Sequence, residues 1–295
     1  MALVSPASPF SREEFDSGAA ELRRLGFEPV WDPGVFEKTG FVSGTPAHRA
    51  AALMSAFQST DVDAIIAVRG GYGSVQVLPL LDAEVIRRAR TTFVGYSDVT
   101  SLHMFLNHGI GLASLHGPMI DGRLAGGSAK YDVASFLAGL SSEPIGELRP
   151  GGVDVLQAGE VSGPLYGGTM TQILASLATP YAFDPPSGHV LFLEEVGERP
   201  YRLDRMITQL RFSGLLAKAA AVVFGQMPRC DEPGDTVMAR DTVRAALDGF
   251  TGPVLYGFPS GHTTTPMLSL ALGVRTRVMT AGRPGLIVEE GLASA

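Results

Sequence analysis

The first half of the chain alternates short apolar runs with amphipathic helical patterns, and this alternation constrains the fold more than any other feature. Strong strand-like runs lie at 2–5, 63–68 and 92–95, with helical patterns that begin after Ser11 and Thr45. Such an alternation is typical of βαβ units, in which parallel strands form one sheet between layers of helices. Weaker runs at 27–30 and 110–114 predict further strands. The sequence therefore predicts an α/β fold with a Rossmann-like, parallel-sheet N-terminal domain.

The second half has a different pattern. Between about 121 and 163, turn residues accumulate without helical periodicity, which indicates a domain boundary. We expect an N-terminal domain over 1–125, a linker over 126–162, and a smaller, β-rich mixed C-terminal domain over 163–295. The C-terminal domain has helical patterns near Thr169 and from Pro200, and strand-like runs at 190–194, 220–224, 254–256 and 285–288.

Composition and charge exclude several classes of protein. The net charge of −7 and the pI near 5.4 provide no general attraction to nucleic acids or anionic membranes. Because Cys230 is the single cysteine, neither an intrachain disulfide nor a thiolate metal cluster can form. The sequence has no signal-peptide pattern and no apolar run of about 18 residues. We expect a cytoplasmic protein with no membrane partner.

A serine lies where the third strong strand turns into a helix. Gly95, Tyr96, Ser97 and Asp98 follow the apolar run at 92–95 and precede an amphipathic pattern. In this position a serine hydroxyl projects above the sheet edge, and the first amides of the helix point into the same space. Val99 replaces the second glycine of G-x-S-x-G, so the motif is not that of an ordinary α/β-hydrolase. The alternative is that Ser97 or Asp98 only caps the helix.

A second candidate element, which we call the glycine loop, comprises residues 69–73 with the sequence RGGYG. It follows the strand at 63–68, and glycines at the carboxyl end of a strand let backbone amides approach an anion or a developing oxyanion. As a dinucleotide fingerprint it is incomplete, because Gln76 stands in place of the third glycine. It could also be a simple turn. A different class of function is a regulator that uses RGGYG and LYGGTMTQ to bind phosphate without catalysis.

A hydroxyl nucleophile needs a base and an orienting carboxylate. Of the six histidines, His262 lies in the rigid, Gly/Pro-rich segment GFPSGHTTTP after an apolar strand, and we favour it as the base. Candidate acids are Glu194, Glu195 and Glu198. Successive strand residues face opposite ways, so only one of Glu194 and Glu195 can point at a given site. No spacing of ligand residues resembles a standard metal site.

The motifs together resemble the LD-carboxypeptidase family of serine peptidases, which includes muramoyltetrapeptide carboxypeptidases and microcin C self-immunity proteins. Their order and spacing extend over nearly the whole chain. They comprise SPAS near Ser5, RGGYG at 69–73, GYSD at 95–98, HGPM at 116–119, LEE at 193–195, E-x-x-Y-x-x-DR at 198–205 and FPSGH at 258–262.

The resemblance implies a Rossmann-like domain and a smaller β-rich domain with the active site between them. It assigns Ser97 as nucleophile, His262 as general base and Glu194 as the orienting acid, since the family acid directly follows the apolar strand. Backbone amides of Gly70, Gly71 and Asp98 would form the oxyanion hole. The candidates for substrate binding are Arg69, Tyr72 and Arg123, and Arg69 or Arg123 would bind the free carboxylate.

The implied reaction hydrolyses the amide bond between an L-centre and a terminal D-amino acid, releasing D-alanine from murein tetrapeptide in cell-wall recycling. The resemblance implies no cofactor and no metal, and it favours a homodimer. The alternative within the family is hydrolysis of an aminoacyl-adenylate analogue. That activity is associated with an aromatic loop, expected here near 121–163, whereas the single tryptophan is Trp31.

Overall fold

The computed structural model describes residues 1–89, 91–234 and 236–292. No helix in these ranges has the length and apolar character needed to cross a bilayer. In chain order the strands and helices are β1 (Ala2–Val4), α1 (Arg12–Arg24), α2 (Pro46–Gln58), β2 (Ala64–Ala67), α3 (Ala83–Arg88), β3 (Thr92–Gly95), α4 (Thr100–Met104), β4 (Ser114–His116), α5 (Val133–Gly139), β5 (Gly146–Leu148), β6 (Asp154–Gln157), β7 (Glu160–Thr169), α6 (Met170–Ser176), β8 (His189–Glu194), α7 (Pro200–Phe212), α8 (Leu215–Lys218), β9 (Ala219–Gly225), α9 (Ala239–Ala246), β10 (Val254–Phe258), β11 (Leu270–Leu272), β12 (Arg275–Met279) and β13 (Gly285–Val288).

The N-terminal lobe is built on a five-stranded sheet with the order β1-β2-β3-β4-β11. Strands β1 to β4 are parallel, and β11 from late in the chain adds an antiparallel edge beside β4. Every residue of β2 is buried, which explains its continuous apolar run. The predicted α/β fold with a parallel N-terminal sheet is confirmed.

Two weaker predicted strands differ from the structure. The run at 27–30 contributes only one bridge, between Ala2 and Val30, because Pro29 lacks the amide that a longer ladder needs. In the run at 110–114, Ile110 ends the helical segment that follows α4, residues 111–113 form a loop, and β4 begins at Ser114. Gly111 has φ +75 there, and Asn107 donates its side-chain amide to the Leu112 carbonyl, so the chain turns before it extends.

The C-terminal lobe is built on an eight-stranded sheet with the order β5-β13-β12-β7-β8-β9-β10-β6. Its centre, β7 to β10, is parallel, and the flanking strands are antiparallel. The predicted runs at 190–194, 220–224, 254–256 and 285–288 correspond to β8, β9, β10 and β13. The segment 126–162, predicted as a linker, contains α5 and also β5 and β6, which form the two edges of this sheet.

Candidate active site

The serine turn, residues 95–98, joins β3 to the turn Ser97–Val99 and then to α4. Ser97 has φ +67, a left-handed conformation that is costly for a residue with a Cβ and typical of functional turns. A Cβ on Gly95 would lie 2.6 Å from Val99 Cγ2, so the turn can close only with glycine at that position. Ser97 is partly exposed, whereas Tyr96 and Asp98 are buried. The turn therefore presents one hydroxyl above the end of the sheet.

The glycine loop packs directly against this turn. A Cβ on Gly70 would lie 3.0 Å from Ser97 Cβ, 3.2 Å from Ser97 Oγ and 3.2 Å from the Asp98 amide nitrogen. Gly71 has φ +90, and a Cβ there would lie 2.5 Å from Ser8 Oγ. Gly70, one of the three residues predicted to supply oxyanion-hole amides, thus lies beside the Ser97 hydroxyl, and the next residue, Gly71, packs against Ser8.

His262 lies in the histidine loop, residues 259–265, which follows β10. Its Nδ1 donates to Glu194 Oε2 at 2.7 Å, and its backbone amide donates to the same oxygen at 2.8 Å. Glu194 is the last residue of β8 and is fully buried, and its other carboxylate oxygen accepts a hydrogen bond from Thr169 Oγ1. Gly261 has φ +79, and a Cβ there would lie 2.6 Å from the Glu194 carboxylate carbon. A glycine before His262 therefore lets the loop close over the acid.

The two groups change each other's basicity. Burial would raise the pKa of Glu194, but the charge and hydrogen bond of His262 lower it to about 2. Burial would lower the pKa of His262, but the charge and hydrogen bond of Glu194 raise it above the ordinary histidine value. A buried carboxylate on Nδ1 fixes the tautomer and makes Nε2 a stronger proton acceptor. The His262 side chain is 21% exposed, so the pair can act as a base toward a bound molecule.

The other two candidate acids face elsewhere. Glu195 Oε2 accepts from the Thr171 amide at 2.9 Å and from Thr171 Oγ1 at 2.8 Å, at the start of α6. Glu198 pairs with Arg202 at 2.5 Å. Strand alternation left the choice between Glu194 and Glu195 open, and the structure brings only Glu194 to His262. Within the described ranges, no three His, Cys, Asp or Glu side chains converge to hold a metal ion.

The segment LYGGTMTQ does not form an open anion site. The Thr171 amide at the start of α6, which a phosphate would need, is already bonded to Glu195. A Cβ on Gly167 would lie 1.8 Å from the Phe192 carbonyl oxygen, and one on Gly168 would lie 2.6 Å from Thr100 Oγ1. These glycines let the end of β7 approach β8 and α4, which favours a packing role over phosphate binding.

Contacts between the lobes bring the serine turn and the histidine loop together. The Tyr96 ring, next to Ser97 in sequence, lies 5.1 Å from the His262 ring, centroid to centroid. The Thr169 amide donates to Thr100 Oγ1 at 3.1 Å, which ties the end of β7 to α4. Since Thr169 also bonds to Glu194, a chain of contacts runs from the helix after Ser97 to the acid beside His262.

The three candidate substrate-binding residues have different surroundings. Arg69 is 46% exposed, pairs with Asp121 at 3.1 Å and donates to the Pro9 carbonyl at 2.7 Å. Tyr72 is also 46% exposed, and its ring lies 5.4 Å from that of Phe41. Both belong to the glycine loop and can be reached from solvent.

Arg123, the third candidate, is buried. Its guanidinium donates to the carbonyls of Gly261 at 2.9 Å and Lys130 at 3.0 Å, and to the Tyr96 hydroxyl at 3.4 Å. These contacts hold the histidine loop against the N-terminal lobe, and they favour a structural role for Arg123 over contact with substrate.

Two buried histidines bond to residues of the serine turn and the histidine loop. His103 Nε2 donates to the Gly95 carbonyl at 2.8 Å, which makes it a core residue. His116, from the HGPM motif, bonds through Nδ1 to Ser260 Oγ at 3.2 Å, and Ser260 donates to the Leu268 carbonyl. Burial lowers the pKa of His116 to about 3, so it remains neutral. Sequence reasoning did not assign His116 a role, although its motif was a signal.

Comparison with known proteins matches most of the chain to one family. The LD-carboxypeptidase N-terminal domain matches residues 1–117, and the LD-carboxypeptidase C-terminal domain matches residues 162–278. A protein of Streptomyces coelicolor whose name assigns it provisionally to the carboxypeptidases is 34% identical over 97% of this chain and 94% of its own length. The murein tetrapeptide carboxypeptidase of Pseudomonas aeruginosa is 29% identical over 89% of this chain and 87% of its own.

Solved structures agree with this assignment. A muramoyltetrapeptide carboxypeptidase from Oxalobacter formigenes superposes with a TM-score of 0.87 at 27% identity, covering 99% of this chain and 100% of that one. MccF in complex with glutamyl sulfamoyl guanosine shares the fold, with a TM-score of 0.88 at 23% identity over 98% of this chain and 95% of that one. The chain therefore belongs to the LD-carboxypeptidase family of serine peptidases.

Proposed function

We propose that this protein hydrolyses the amide bond between an L-centre and a terminal D-amino acid, releasing D-alanine from murein tetrapeptide, with Ser97, His262 and Glu194 as its catalytic triad. One observation carries the proposal above all. A buried carboxylate is bonded to Nδ1 of a partly exposed histidine, and that histidine packs edge-on against Tyr96, the neighbour of a serine in a left-handed turn.

The geometry supports a two-step acyl transfer. Ser97 Oγ attacks the scissile carbonyl carbon while His262 Nε2 takes the hydroxyl proton, and Glu194 stabilises the imidazolium that results. The same proton then passes from Nε2 to the leaving amine, so the terminal D-amino acid departs with a neutral amino group. Water next attacks the acyl-enzyme and gives one proton to His262. That proton then passes to Ser97 Oγ as the ester bond breaks, and the shortened peptide leaves with a new carboxyl group.

The negative oxygen of the tetrahedral intermediate would be stabilised by the backbone amides of Gly70, Gly71 and Asp98. Support for this assignment comes from the packing of Gly70 against Ser97 Oγ and the Asp98 amide. Preorganised amides of this kind typically contribute about 10²–10³-fold to turnover each.

We assign recognition of the free carboxylate of the substrate to Arg69, with Tyr72 lining the same rim. Arg69 is the more exposed of the two candidate arginines, and its ion pair with Asp121 can exchange for a substrate carboxylate. Arg123 donates to backbone carbonyls of the histidine loop and is better suited to hold that loop.

Murein peptide is favoured over an aminoacyl-adenylate analogue. Relatives named for murein peptide carboxypeptidase activity match most of the chain, and a solved muramoyltetrapeptide carboxypeptidase matches all of its own length. Trp31, the single tryptophan, packs edge-on against Phe15 of α1 at 5.0 Å. This contact gives Trp31 a packing role in the N-terminal lobe.

The test is mass spectrometry after incubation of the purified protein with three compounds: murein tetrapeptide, its isomer ending in L-alanine, and an aminoacyl-adenylate mimic. We expect the loss of one terminal D-alanine from the first compound only, and none with Ser97→Ala. Hydrolysis of the mimic without D-alanine release would favour the alternative substrate. Failure of a fluorophosphonate to label Ser97, with no turnover of any compound, would favour a binding module.

We also propose that the enzyme works in cytoplasmic peptidoglycan recycling as a homodimer, as the family resemblance implies. Light scattering on the purified protein should give twice the chain mass of 31.0 kDa, and a monomer mass would contradict the dimer. Cell fractionation should place the activity with cytoplasmic markers.

A further inference from the structure

One peptide group behind the glycine loop is held at both ends by buried charged side chains. The Gly73 carbonyl accepts from Arg49 Nη1 at 2.8 Å, and the Ser74 amide of the same peptide donates to Asp98 Oδ2 at 2.8 Å. Arg49 is 2% exposed and Asp98 is 1% exposed. A cation and an anion thus lie at opposite ends of a single peptide dipole.

Arg49 connects this peptide to two further segments. Its guanidinium also donates to the Pro6 carbonyl at 2.5 Å and to Gln76 Oε1 at 2.5 Å. Gly73 has φ +124, and a Cβ there would lie 3.0 Å from Arg49 Nη1. The last glycine of RGGYG therefore permits the approach of the guanidinium.

Asp98 connects the same peptide to the serine turn. Ser74 Oγ donates to the Asp98 backbone carbonyl at 2.7 Å, so Ser74 and Asp98 share two hydrogen bonds. The second oxygen of the carboxylate accepts from Gln172 Nε2 of α6 at 3.2 Å. Because Asp98 directly follows Ser97, these bonds set the distance between the glycine loop and the nucleophile.

Folding of the glycine loop alone does not require the buried charges of Arg49 and Asp98. Each charge is costly to remove from water unless it is paired and hydrogen-bonded, and apolar side chains of similar volume often stabilise a fold equally well. What the charges add here is a defined orientation of one peptide. That peptide lies two residues after Gly71, at the end of the segment proposed to carry the oxyanion hole.

We propose that Asp98 and Arg49 are positioning residues that clamp the Gly73–Ser74 peptide and so set the oxyanion-hole geometry of Gly70 and Gly71. This inference rests on the proposed function. A displacement of about 1 Å in a catalytic group can cost about 10²-fold in turnover, so loss of the clamp lowers kcat more than it weakens substrate binding.

The first experiment measures kcat and KM for D-alanine release in single and double variants. We expect Asp98→Ala to lower kcat about 100-fold with KM changed less than about threefold. Asp98→Asn should recover most of that loss, because its amide oxygen can still accept from the Ser74 amide. Since both residues hold one peptide, Asp98→Ala combined with Arg49→Met should lose less than the product of the two single losses. Multiplicative losses would overturn the shared clamp.

The second experiment separates positioning from folding. A peptide boronic acid forms a tetrahedral adduct on Ser97, whereas murein tetrapeptide bound to the Ser97→Ala background reports ground-state affinity. In Asp98→Ala we expect boronate affinity to fall in parallel with kcat/KM and tetrapeptide affinity to change little. An equal fall in both would indicate general damage and refute the proposal.

Asp16→Asn, which removes an exposed ion pair with Arg12, serves as the control and should leave all these constants unchanged. Should Asp98→Ala fail to fold, Arg49→Met and Ser74→Ala carry the same comparison, and equal losses of the two affinities would refute the clamp. A wild-type kcat in folded Asp98→Ala would refute the clamp but leave the proposed function intact. Turnover by Ser97→Ala would instead refute the proposed function.

Discussion

The serine turn and the histidine loop are positioned in opposite ways. Ser97 takes its conformation from close neighbours, because Gly95 and Val99 allow β3 to turn within a few residues. His262 is held by partners far away in sequence: Glu194 lies 68 residues before it, and Arg123 contacts the preceding Gly261 across 138 residues. His116 contacts Ser260 of the same loop across 144 residues. One half of the site is thus local and the other is assembled by the fold.

The difference predicts how each half tolerates change. A locally determined turn survives the loss of its functional side chain, since the backbone keeps its shape. A loop held by distant contacts loses its position when any one of them is removed. Substitutions in the two regions should therefore differ in whether activity falls alone or together with stability.

The largest effect is expected when either proton-exchange partner is removed. Ser97→Ala and His262→Ala should each lower kcat by about 10⁵-fold or more, and the double variant should lose little beyond either single one, because the groups act as a unit. Measurement of D-alanine release alongside thermal unfolding checks this. Ser97→Ala should unfold within a few degrees of the wild type. If the loss of kcat in the double variant equalled the product of the two single losses, Ser97 and His262 would not act as a unit.

Glu194→Gln should come next, with a loss of about 10⁴-fold in kcat, because a neutral amide cannot stabilise the imidazolium and can favour the wrong tautomer. Glu195→Gln is the matched control. It keeps an acceptor for the Thr171 amide and should change kcat less than tenfold. Comparable losses in the two variants would refute the assignment of Glu194.

Arg123→Met should lower kcat by about 10²-fold and also lower the unfolding temperature, since it releases the histidine loop and leaves the carbonyls of Gly261 and Lys130 without their donor. Arg12→Met removes an exposed arginine and serves as the control. Unchanged stability together with a rise in KM alone would instead favour direct binding of substrate by Arg123.

The smallest effect is a shift in pH dependence. A neutral His262 is required for attack, so kcat/KM should fall as pH drops through a pKa that Glu194 holds above the ordinary histidine value. Glu194→Gln should move this fall in kcat/KM to lower pH, because burial then lowers the pKa of His262 without the opposing charge of Glu194. An unchanged pH dependence would argue against His262 as the titrating base.

The same pair links pH to stability. The raised pKa of His262 contributes stability that is present below its unfolded pKa and is lost as pH rises through the folded value. The lowered pKa of Glu194 contributes stability above its unfolded value, lost as pH falls toward about 2. Thermal unfolding across pH would show both trends in the wild type and neither in Glu194→Gln.

Much of the N-terminal lobe was predictable because its signals are short-range. Apolar periodicity located β2, β3 and α1, and α1 begins after Ser11 as predicted, with the Ser11 hydroxyl accepting from the Glu14 amide at 3.0 Å. The Glu14 carboxylate, however, accepts from the Gly122 amide at 2.9 Å, across 108 residues of chain. A short-range pattern predicted the helix start but not the long-range partner.

The candidate site divides along the same line. The sequence alone predicted the α/β class, the strand–turn–helix context of Ser97, the glycine loop and the family. Each of these depends on neighbours within about ten residues or on motif spacing. Only tertiary contacts selected Glu194 over Glu195, turned Arg123 toward the histidine loop and brought Asp98 and Arg49 to the two ends of one peptide group. The physical reason is that strand alternation, burial and hydrogen-bond partners across more than 20 residues of chain are decided by packing, which no local pattern encodes.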